Sequence, residues 1–578
     1  MENERDQQEV INSIESIASE MPAWLPIEFR EELAFPTLTV EMVDRLKAYG
    51  TEESIPAGVT LYSSGDRQID MFVILDGGVD ITLPRSNDKK HTFARHRKFN
   101  FTGEFNLLSA QRAIVEARTI TNSTVLRISR TQLPKLMRSE GDIANLIVQA
   151  FTWRRIGIAK SGSSGVVVTG KIGDPQLALL QRFFVRNIYP HQIVELSPSE
   201  ASKSDDGTNK YPAVILGDGR TLHNPPIADL ADELGISRLP DSTVTCDVAV
   251  VGAGPAGLAA AVYAASEGLC TVVIEGLAPG GQAGTSSKIE NYLGFPTGVG
   301  GQQLAIRAQM QALKFGVHFA ISREVVSVEQ KGALHRLILS GGIPVCARSV
   351  VVATGAQYRK LNLGNDATYE NRGLYYAATA MESPICRGQE VIVVGGGNSA
   401  GQAALFLSGI ATHVHHIVRQ PSFASTMSQY LISRIENSSH ITLYTDSEIV
   451  AVDGVRSLES ATWANKLTGV QTQKPIGAVF VMIGAEPNTG WLYGTVKLND
   501  KGFILTGNEY GFEKSPYATS MPGIFAVGDV RAGSVKRVAS AVGEGSVVIS
   551  DIHRYIADHR NELSRPTNSV SSEIRTPD

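Results

Sequence analysis

The sequence is short of cysteine, of long apolar runs and of concentrated positive charge. It holds 4 cysteines (Cys246, Cys270, Cys346 and Cys386), and no two of them form a C-x-x-C pair. A redox dithiol of that spacing is therefore missing, and the low cysteine content favours a reducing compartment. No apolar run reaches the roughly 20 residues that span a bilayer. The formal net charge is −5 and no long basic stripe is present, which argues against nucleic-acid binding.

The two ends of the chain are polar. The N-terminal residues MENERDQQEV lack the basic start and apolar stretch of a signal peptide, so we expect a cytoplasmic location. Residues 1–37 are predicted to be a helical segment, with an amphipathic helix around 10–19. Residues 559–578 are predicted to be a disordered tail. The length predicts three to four domains of about 150 residues each.

One segment has the strand, glycine turn and helix of a dinucleotide-binding, Rossmann-like fold. In CDVAVVGAGPAGLAAAVYAA, Gly252, Gly254 and Gly257 form the pattern G-x-G-x-x-G. The first glycine permits the tight turn, the second lets the backbone approach a pyrophosphate, and the third lets helix and strand pack closely. The next strand ends in Glu275, where an acid binds a ribose. This pattern predicts a dinucleotide-binding site.

A second segment repeats the arrangement further along the chain. In EVIVVGGGNSAGQAALFL, the turn positions are Gly395, Gly397 and Ala400. The following strand ends in Arg419 instead of an acid. An acid would bind a free ribose 2′-hydroxyl, whereas an arginine suits a 2′-phosphate. The second turn therefore favours NADP over NAD.

The motifs GGQAGTSSKIENYLGFP, VVATG and GIFAVGDV lie between and after these turns. In this order, the region from about Val244 to Tyr555 resembles the low-molecular-weight thioredoxin reductases. The resemblance implies an oxidoreductase that uses FAD and NADPH, and a homodimer. It also implies an FAD-binding domain made of residues 243–360 and 487–558, with an NAD(P)-binding domain of residues 361–486 inserted in it.

The resemblance also implies which residues bind the cofactors. The FAD residues would be Gly252, Gly254, Pro255, Ala256, Gly257, Glu275, Gly281, Gln282, Asn291, Gly528, Asp529, Arg537, Val538 and Ala539. The NADP residues would be Gly395, Gly397, Asn398, Ser399, Ala400 and Arg419. Asp529 stands next to a glycine at a strand end, where it can accept a hydrogen bond from a ribityl hydroxyl; the alternative is a helix N-cap.

The sequence departs from the family at the catalytic dithiol. In YYAATAMESPICRG, the two family cysteines fall on Ala377 and Ala380. Alanine cannot attack a disulfide, because that chemistry needs a thiolate. The catalytic residues are therefore left unassigned. Of the family's three NADP-binding arginines, only Arg419 remains.

Residues 38–150 are predicted to be an antiparallel β-roll. PAGVTLYSSGDRQIDMFVILDGGVDIT and FTGEFNLLSAQRAIVEARTI resemble a cyclic nucleotide-binding domain. That resemblance would place the ligand on Gly103, Glu104 and Arg112. However, the cassette is short and puts Gln111 at the arginine position. A one-residue shift turns an extended side chain to the opposite face, so a ligand-free β-roll used for packing is the alternative.

Residues 163–238 form a small α/β unit that resembles a thioredoxin-like fold. Tyr211–Pro212 stands where that fold has a cis proline. The stretch GKIGDP, where the active thiols would lie, has no cysteine. We therefore expect a scaffold without thiols.

The predicted function is NADPH-dependent electron transfer through FAD to an acceptor that the sequence does not name. Quinones, dyes, iron–sulfur proteins, oxygen and a partner's disulfide are all open. The alternatives are a redox- or ligand-sensing regulatory flavoprotein and direct reduction of a small disulfide. His413, His415 and His416 are interpreted as strand residues, and no metal or membrane is expected.

Overall fold

The computed structural model describes the chain from residue 29 to residue 559 with internal gaps. The described residues are 29–83, 91–109, 111–161, 165–172, 174–197, 211–240, 244–286, 289, 292–332, 334–370, 372–376, 378, 386–422, 427–455, 457–507 and 515–559. The helix predicted around 10–19 and nearly all of the predicted tail lie outside them. No helix among these residues is long and apolar enough to cross a bilayer.

The chain divides into two compact units. The first comprises Met1–Gly355, Thr489–Asn499 and Ile504–Asp578, and the second comprises Ala356–Asn488 and Asp500–Phe503.

The first unit begins with a β-roll made of two antiparallel sheets. Its strands are β1 Thr51–Ile55, β2 Thr60–Tyr62, β3 Met71–Asp76, β4 Val79–Leu83, β5 His91–His96, β6 Glu116–Thr119 and β7 Ser123–Ile128. One sheet has the order β1-β7-β3 and the other β2-β6-β4-β5. The alternation of buried and half-buried residues along β4 gives the roll a closed apolar interior.

Helices flank the roll on both sides in sequence. They are α1 Glu31–Ala34, α2 Val40–Leu46, α3 Leu133–Ser139 and α4 Gly141–Lys160, with 3₁₀ turns at Lys47–Tyr49 and Phe105–Leu107. From Ala150 to Lys160, every residue of α4 is buried. A helix buried on all sides is a core element, so α4 joins the roll to the rest of the unit.

The middle α/β unit follows. Its elements are β8 Val166–Lys171, α5 Pro175–Arg186, β9 His191–Leu196, β10 Ala213–Leu216, β11 Thr221–His223 and α6 Ile227–Glu233. The strand order is β11-β10-β8-β9; β8 and β9 are parallel, and the other pairs are antiparallel. The Tyr211–Pro212 peptide bond is cis, as predicted.

The remainder of the first unit is a seven-stranded sheet covered by helices. Its elements are β12 Cys246–Val251, α7 Pro255–Ser266, β13 Thr271–Glu275, α8 Gly301–Lys314, β14 His318–Ile321, β15 Val325–Lys331, β16 Leu334–Leu339, β17 Pro344–Val352, β28 Ile524–Ala526 and α12 Val538–Asp558, with 3₁₀ turns at Ala283–Thr285, Gly490–Leu492 and Gly528–Val530. The order is β14-β13-β12-β17-β16-β15, with β28 beside β17. The apolar run VAVV of β12 is fully buried, as expected for a parallel strand covered on both faces.

The second unit holds a five-stranded parallel sheet. Its elements are β18 Ala356–Tyr358, α9 Asp366–Tyr369, β19 Leu374–Tyr375, β20 Glu390–Val394, α10 Asn398–Ser408, β21 His413–Ile417, α11 Gln429–Glu436, β22 Ile441–Tyr444, β23 Ser447–Asp453, β24 Ser460–Asn465, β25 Gln471–Pro475, β26 Ala478–Val481 and β27 Ala485–Pro487. The parallel order is β19-β26-β20-β21-β22, and β23-β24-β25 form a separate antiparallel sheet.

Candidate functional site

Two of the three glycines in the turn between β12 and α7 have no room for a side chain. Gly252 has φ +103°, and a Cβ there would lie 2.4 Å from the Ala353 carbonyl oxygen. A Cβ on Gly257 would lie 1.9 Å from the carbonyl oxygen of Gly252. Gly254 differs, because its Cβ position is open and the nearest atom, Gly281 Cα, is 4.0 Å away. The turn is therefore closed by protein on two sides and open at Gly254.

Two distant segments meet at this turn. Gly281 has φ +54°, and a Cβ there would lie 3.0 Å from Gly254 Cα. Gly528 has φ +74°, and a Cβ there would lie 2.9 Å from the Ala256 side chain. No side chain of the described residues caps the N-terminus of α7, so its first backbone N–H groups face the junction with the positive end of the helix dipole. The three segments form a cradle suited to an anion.

Glu275 lies at the end of β13 and supports the turn. Its carboxylate accepts hydrogen bonds from the backbone N–H of Ala253, at 2.8 Å, and of Leu277, at 3.0 Å. Burial raises the pKa of Glu275, and these hydrogen bonds oppose the rise. The acid predicted from the motif therefore stands beside the glycine turn and fixes its backbone.

Asp529 is half-buried beside Gly528. Burial raises the pKa of its carboxyl group. It makes no hydrogen bond in the described part of the chain, and it caps no helix: the N-cap of the 3₁₀ turn is Val527 and that of α12 is Arg537. A half-buried carboxyl group without a donor is suited to a ligand hydroxyl.

Glu544 and Arg531 complete the cradle, and the sequence reasoning missed both. Glu544 accepts the backbone N–H of Gly528 at 2.6 Å, and Arg531 donates to its carboxylate through Nε and Nη2, each at 3.1 Å. Both side chains are largely buried, with 16% and 13% of their surface exposed for Arg531 and Glu544. The sequence signal that could have identified Glu544 is an acid followed directly by glycine within a helix.

Apart from Asn291, the remaining residues predicted for FAD lie at the N-terminal ends of helical elements. Gln282 precedes the 3₁₀ turn that follows Gly281, and Pro255 is the first residue of α7. Arg537, Val538 and Ala539 form the N-terminus of α12, which is not capped by any side chain that the structure describes. Asn291 lies outside the described residues.

The second unit contains its own glycine turn, between β20 and α10. Gly395 has φ +139°, and a Cβ there would lie 2.4 Å from the Met482 carbonyl oxygen. Within the described parts of this unit, the Cβ position of Gly397 is open and no side chain caps α10. Ala400 is buried in the first turn of α10, whereas Ser399 is exposed.

Other predicted residues of the second unit lie around this turn. Asn398 is the first residue of α10. Arg419 is exposed and is the second residue after the end of β21. Ala377 and Ala380, which the sequence predicts to stand at the positions of the family dithiol, lie outside the described residues.

The histidines of β21 make structural contacts. His415 Nε2 is 2.8 Å from Glu390, and His416 Nε2 is 2.8 Å from the Gly395 carbonyl oxygen. Burial lowers the pKa of His416 to about 4, so this ring is neutral at physiological pH. Within the described residues, no group of three or more His, Cys, Asp or Glu side chains could hold a metal.

Three cysteines that are distant in sequence lie together. Cys246 begins β12, and Cys270 and Cys346 lie near enough to its thiol to help raise its pKa. Burial raises the pKa of Cys246 to about 12, which keeps it protonated. All three lie where β12, β13 and β17 begin, at the edge of the parallel sheet opposite the glycine turn. The three cysteines are therefore not part of the site at the glycine turn.

The cassette of the β-roll is occupied by the chain's own side chains. Arg155 of α4 donates through Nε and Nη2 to Glu104, at 3.0 and 3.2 Å, and through Nη2 to Gln111, at 2.7 Å. Burial raises the pKa of Glu104, and Arg155 opposes the rise. Arg112 instead donates to Glu233 of the middle unit at 2.7 Å.

The neighbouring arginine of α4 closes the same cassette. Arg154 donates through Nη1 to the Gly103 carbonyl oxygen at 2.7 Å and through Nε to that of Ala34 at 2.8 Å. Gly103 has φ +109° and leaves no room for a side chain, because a Cβ would lie 2.2 Å from Leu107. Glu104, Gly103 and Arg112 are therefore all engaged within the protein.

Comparisons with known proteins agree with this geometry. Residues 246–545 match the pyridine nucleotide-disulphide oxidoreductase family, and residues 52–140 match the cyclic nucleotide-binding domain family. The chain is 34% identical over 315 residues to thioredoxin reductase of Treponema pallidum (strain Nichols), which covers 54% of this chain and 98% of that protein.

Two further relatives are similar over the same part of the chain. The bifunctional thioredoxin reductase/thioredoxin of Mycobacterium leprae is 32% identical over 332 residues, covering 57% of this chain and 70% of that protein. The crystal structure of thioredoxin reductase from Streptococcus pyogenes MGAS5005 is 30% identical with a TM-score of 0.48, covering 54% of this chain and 99% of that chain.

Proposed function

We propose that this chain, which belongs to the pyridine nucleotide-disulphide oxidoreductase family, passes electrons from NADPH to an external acceptor without a dithiol of its own. The family match makes the chain an oxidoreductase of thioredoxin-reductase type, and this type uses FAD and NADPH. The identity of the cofactor-binding residues, the lack of a dithiol and the external acceptor go beyond the family match and are proposed here.

The observation that carries the proposal is the pair of glycine turns, one in each unit. In both turns the first glycine excludes any side chain, and among the described residues no atom fills the Cβ position of the second glycine and no side chain caps the helix that follows. This combination fits a cofactor diphosphate, because its oxygens need backbone N–H donors and close approach.

The cradle at Gly254 fits FAD. The open side of the turn would receive the pyrophosphate, Glu275 would bind the adenosine ribose, and Asp529 would accept a ribityl hydroxyl. When bound, FAD supplies the capacity to accept a hydride from one substrate and release electrons to another. The protein's part is to orient the cofactor, and Glu544 does so by holding Gly528 in place through its backbone N–H.

The turn at Gly397 fits the nicotinamide cofactor. Arg419 stands exposed after β21, where a guanidinium would bind a ribose 2′-phosphate through charge-assisted hydrogen bonds. Its charge would distinguish NADPH from NADH.

The external acceptor follows from the cysteines. The family positions of the dithiol hold Ala377 and Ala380, and the three clustered thiols lie at the opposite edge of the sheet from the glycine turn. Electrons would therefore leave the flavin directly for a quinone, a dye, an iron–sulfur protein, oxygen or a partner's disulfide.

The test is anaerobic mixing of the FAD-loaded protein with NADPH or NADH, followed by a screen of acceptors. We expect NADPH to bleach the flavin absorbance at lower concentration than NADH. Arg419→Gln should raise the NADPH concentration for half-maximal rate about tenfold and leave NADH unchanged, with the exposed Arg387→Gln as control. Absence of flavin reduction by either nucleotide would overturn the proposal.

A second proposal concerns the β-roll. Its family match favours a cyclic nucleotide as ligand, but the buried pair of Glu104 and Arg155 favours a role in packing. We propose that the roll is a scaffold that docks on the middle unit. Calorimetric titration with cyclic AMP and cyclic GMP should give no heat of binding, and micromolar binding of either would restore the sensor alternative.

The middle unit is proposed to be a thioredoxin-like scaffold without thiols. Its strand order β11-β10-β8-β9 and the parallel pairing of β8 with β9 support this proposal, as does the absence of cysteine from GKIGDP. The homodimer, the cytoplasmic location and the domain limits stay predictions. Light scattering of the full chain tests the homodimer.

A further inference from the structure

The C-terminal end of α5, in the middle unit, contacts residues 276–281, the segment that runs from the end of β13 to Gly281. Arg186 Nη2 donates to the Gly281 carbonyl oxygen at 3.0 Å. The next residue, Asn187, donates through Nδ2 to the Leu277 carbonyl oxygen at 3.1 Å. In the other direction, Gln302 of α8 donates to the Val185 carbonyl oxygen at 3.0 Å. The end of one helix thus holds both ends of this segment.

This segment is part of the cradle already described. It begins directly after Glu275, and it reaches the glycine turn where a Cβ on Gly281 would lie 3.0 Å from Gly254 Cα. The backbone N–H of Gly280 also donates to the Ala253 carbonyl oxygen at 2.7 Å. Arg186 therefore contacts the glycine turn indirectly, through Gly281, and a shift of Arg186 would displace the turn.

Arg186 also brings charge to this place. Arg186 is half-buried; the neighbouring Arg182 repels its guanidinium, and the carboxylate of Glu275 attracts it. Burial lowers the pKa of Arg186, yet an arginine stays protonated in proteins. A guanidinium has five N–H donors, and Arg186 uses one of them in the described part of the chain. The others are available to an anionic ligand.

Resting on the proposed function, we infer that Arg186 is an additional FAD-binding residue, supplied by the middle unit to the anionic diphosphate at the glycine turn. It lies outside residues 246–545, which match the family, so the family pattern does not contain it. The middle unit therefore contributes a positive charge to the cofactor site in addition to its packing role.

The test compares FAD affinity among three variants of the full chain. Arg186→Met removes the charge, Arg186→Lys keeps it without the planar fork, and Arg182→Met is the matched control, since Arg182 is exposed four residues earlier on the same helix. Each apoprotein is titrated with FAD and followed by quenching of flavin fluorescence. We expect R186M to weaken binding about tenfold, R186K to recover part of the loss, and R182M to match the wild type.

A salt series separates a direct contact from a purely structural effect. If Arg186 faces the diphosphate, the affinity of the wild type should fall more steeply with KCl concentration than that of R186M. Equal affinity of R186M and wild type, equal loss in R182M, or an unchanged salt slope would each overturn the inference. If wild-type protein binds no FAD at all, the proposed function fails instead.

Discussion

The glycine turn of α7 and the cassette of the β-roll both belong to families that bind nucleotides, yet they differ in what their polar groups do. At the turn, the Cβ position of Gly254 is open and Asp529 makes no hydrogen bond among the described residues. In the cassette, Glu104 is bound by Arg155, and Arg112 is bound by Glu233. A match to a nucleotide-binding family therefore does not by itself indicate a ligand, because the charged groups of the motif can be bound within the protein, as Glu104 and Arg112 are.

The largest effect should come from breaking the cassette. Arg155→Met leaves Glu104 buried without its partner, which should lower the free energy of unfolding by about 3–5 kcal/mol in urea. The double variant E104Q/R155M removes both charges and should recover most of that loss. If R155M is as stable as the wild type, the ion pair does not hold the cassette, and the contrast with the glycine turn fails.

The next effect concerns the open side of the glycine turn. Gly254 has φ −71° and ψ −178°, which valine adopts, and no described residue places an atom closer than 4.0 Å to its Cβ position. Gly254→Val should therefore leave the apoprotein's melting temperature nearly unchanged and weaken FAD binding at least about a hundredfold, because the side chain occupies the place of the diphosphate.

The control for this variant is Gly141→Ala, at a glycine of α4 whose Cβ position has no atom of the described residues within 4 Å. It should change neither property. Wild-type FAD affinity in G254V would contradict the assignment of the turn.

The smallest effects concern Asp529. Its replacement should stabilise the apoprotein but weaken FAD binding. Burial raises the pKa of Asp529, so its ionised form destabilises the folded apoprotein above the unfolded pKa, and this cost disappears as the pH falls through the folded pKa. Asp529→Asn should therefore raise the apoprotein's melting temperature slightly near neutral pH, but not in acid. It should also weaken FAD binding about tenfold, because a charged acceptor is lost.

Fluorescence titration with FAD and thermal unfolding across the pH range measure the two effects on the same sample. A D529N apoprotein that is less stable at neutral pH would show that the carboxylate has a structural partner instead.

The glycine turns could be predicted from sequence because each depends on residues close in the chain. A strand, a turn and a helix within about 30 residues fix the position of Gly252 and Gly254. Glu275 was also predictable, since it ends the next strand of the same unit.

The supporting residues were not predictable, because they depend on contacts between distant segments. Arg186 and Gly281 are 95 positions apart, and Arg112 and Glu233 are 121 apart. No local pattern distinguishes Arg186 from the exposed Arg182 on the same helix. The cassette shows the converse: its sequence resembles a binding loop, and only the position of α4 reveals that Arg155 occupies it.

The central claim is that electrons pass through the FAD site without any cysteine of the chain. The most direct test is NADPH-driven quinone reduction by the FAD-loaded protein before and after alkylation of the accessible thiols, repeated with all 4 cysteines replaced by serine. The account predicts the same turnover in every case. Loss of turnover in the alkylated or cysteine-free protein, with FAD still bound, would contradict it.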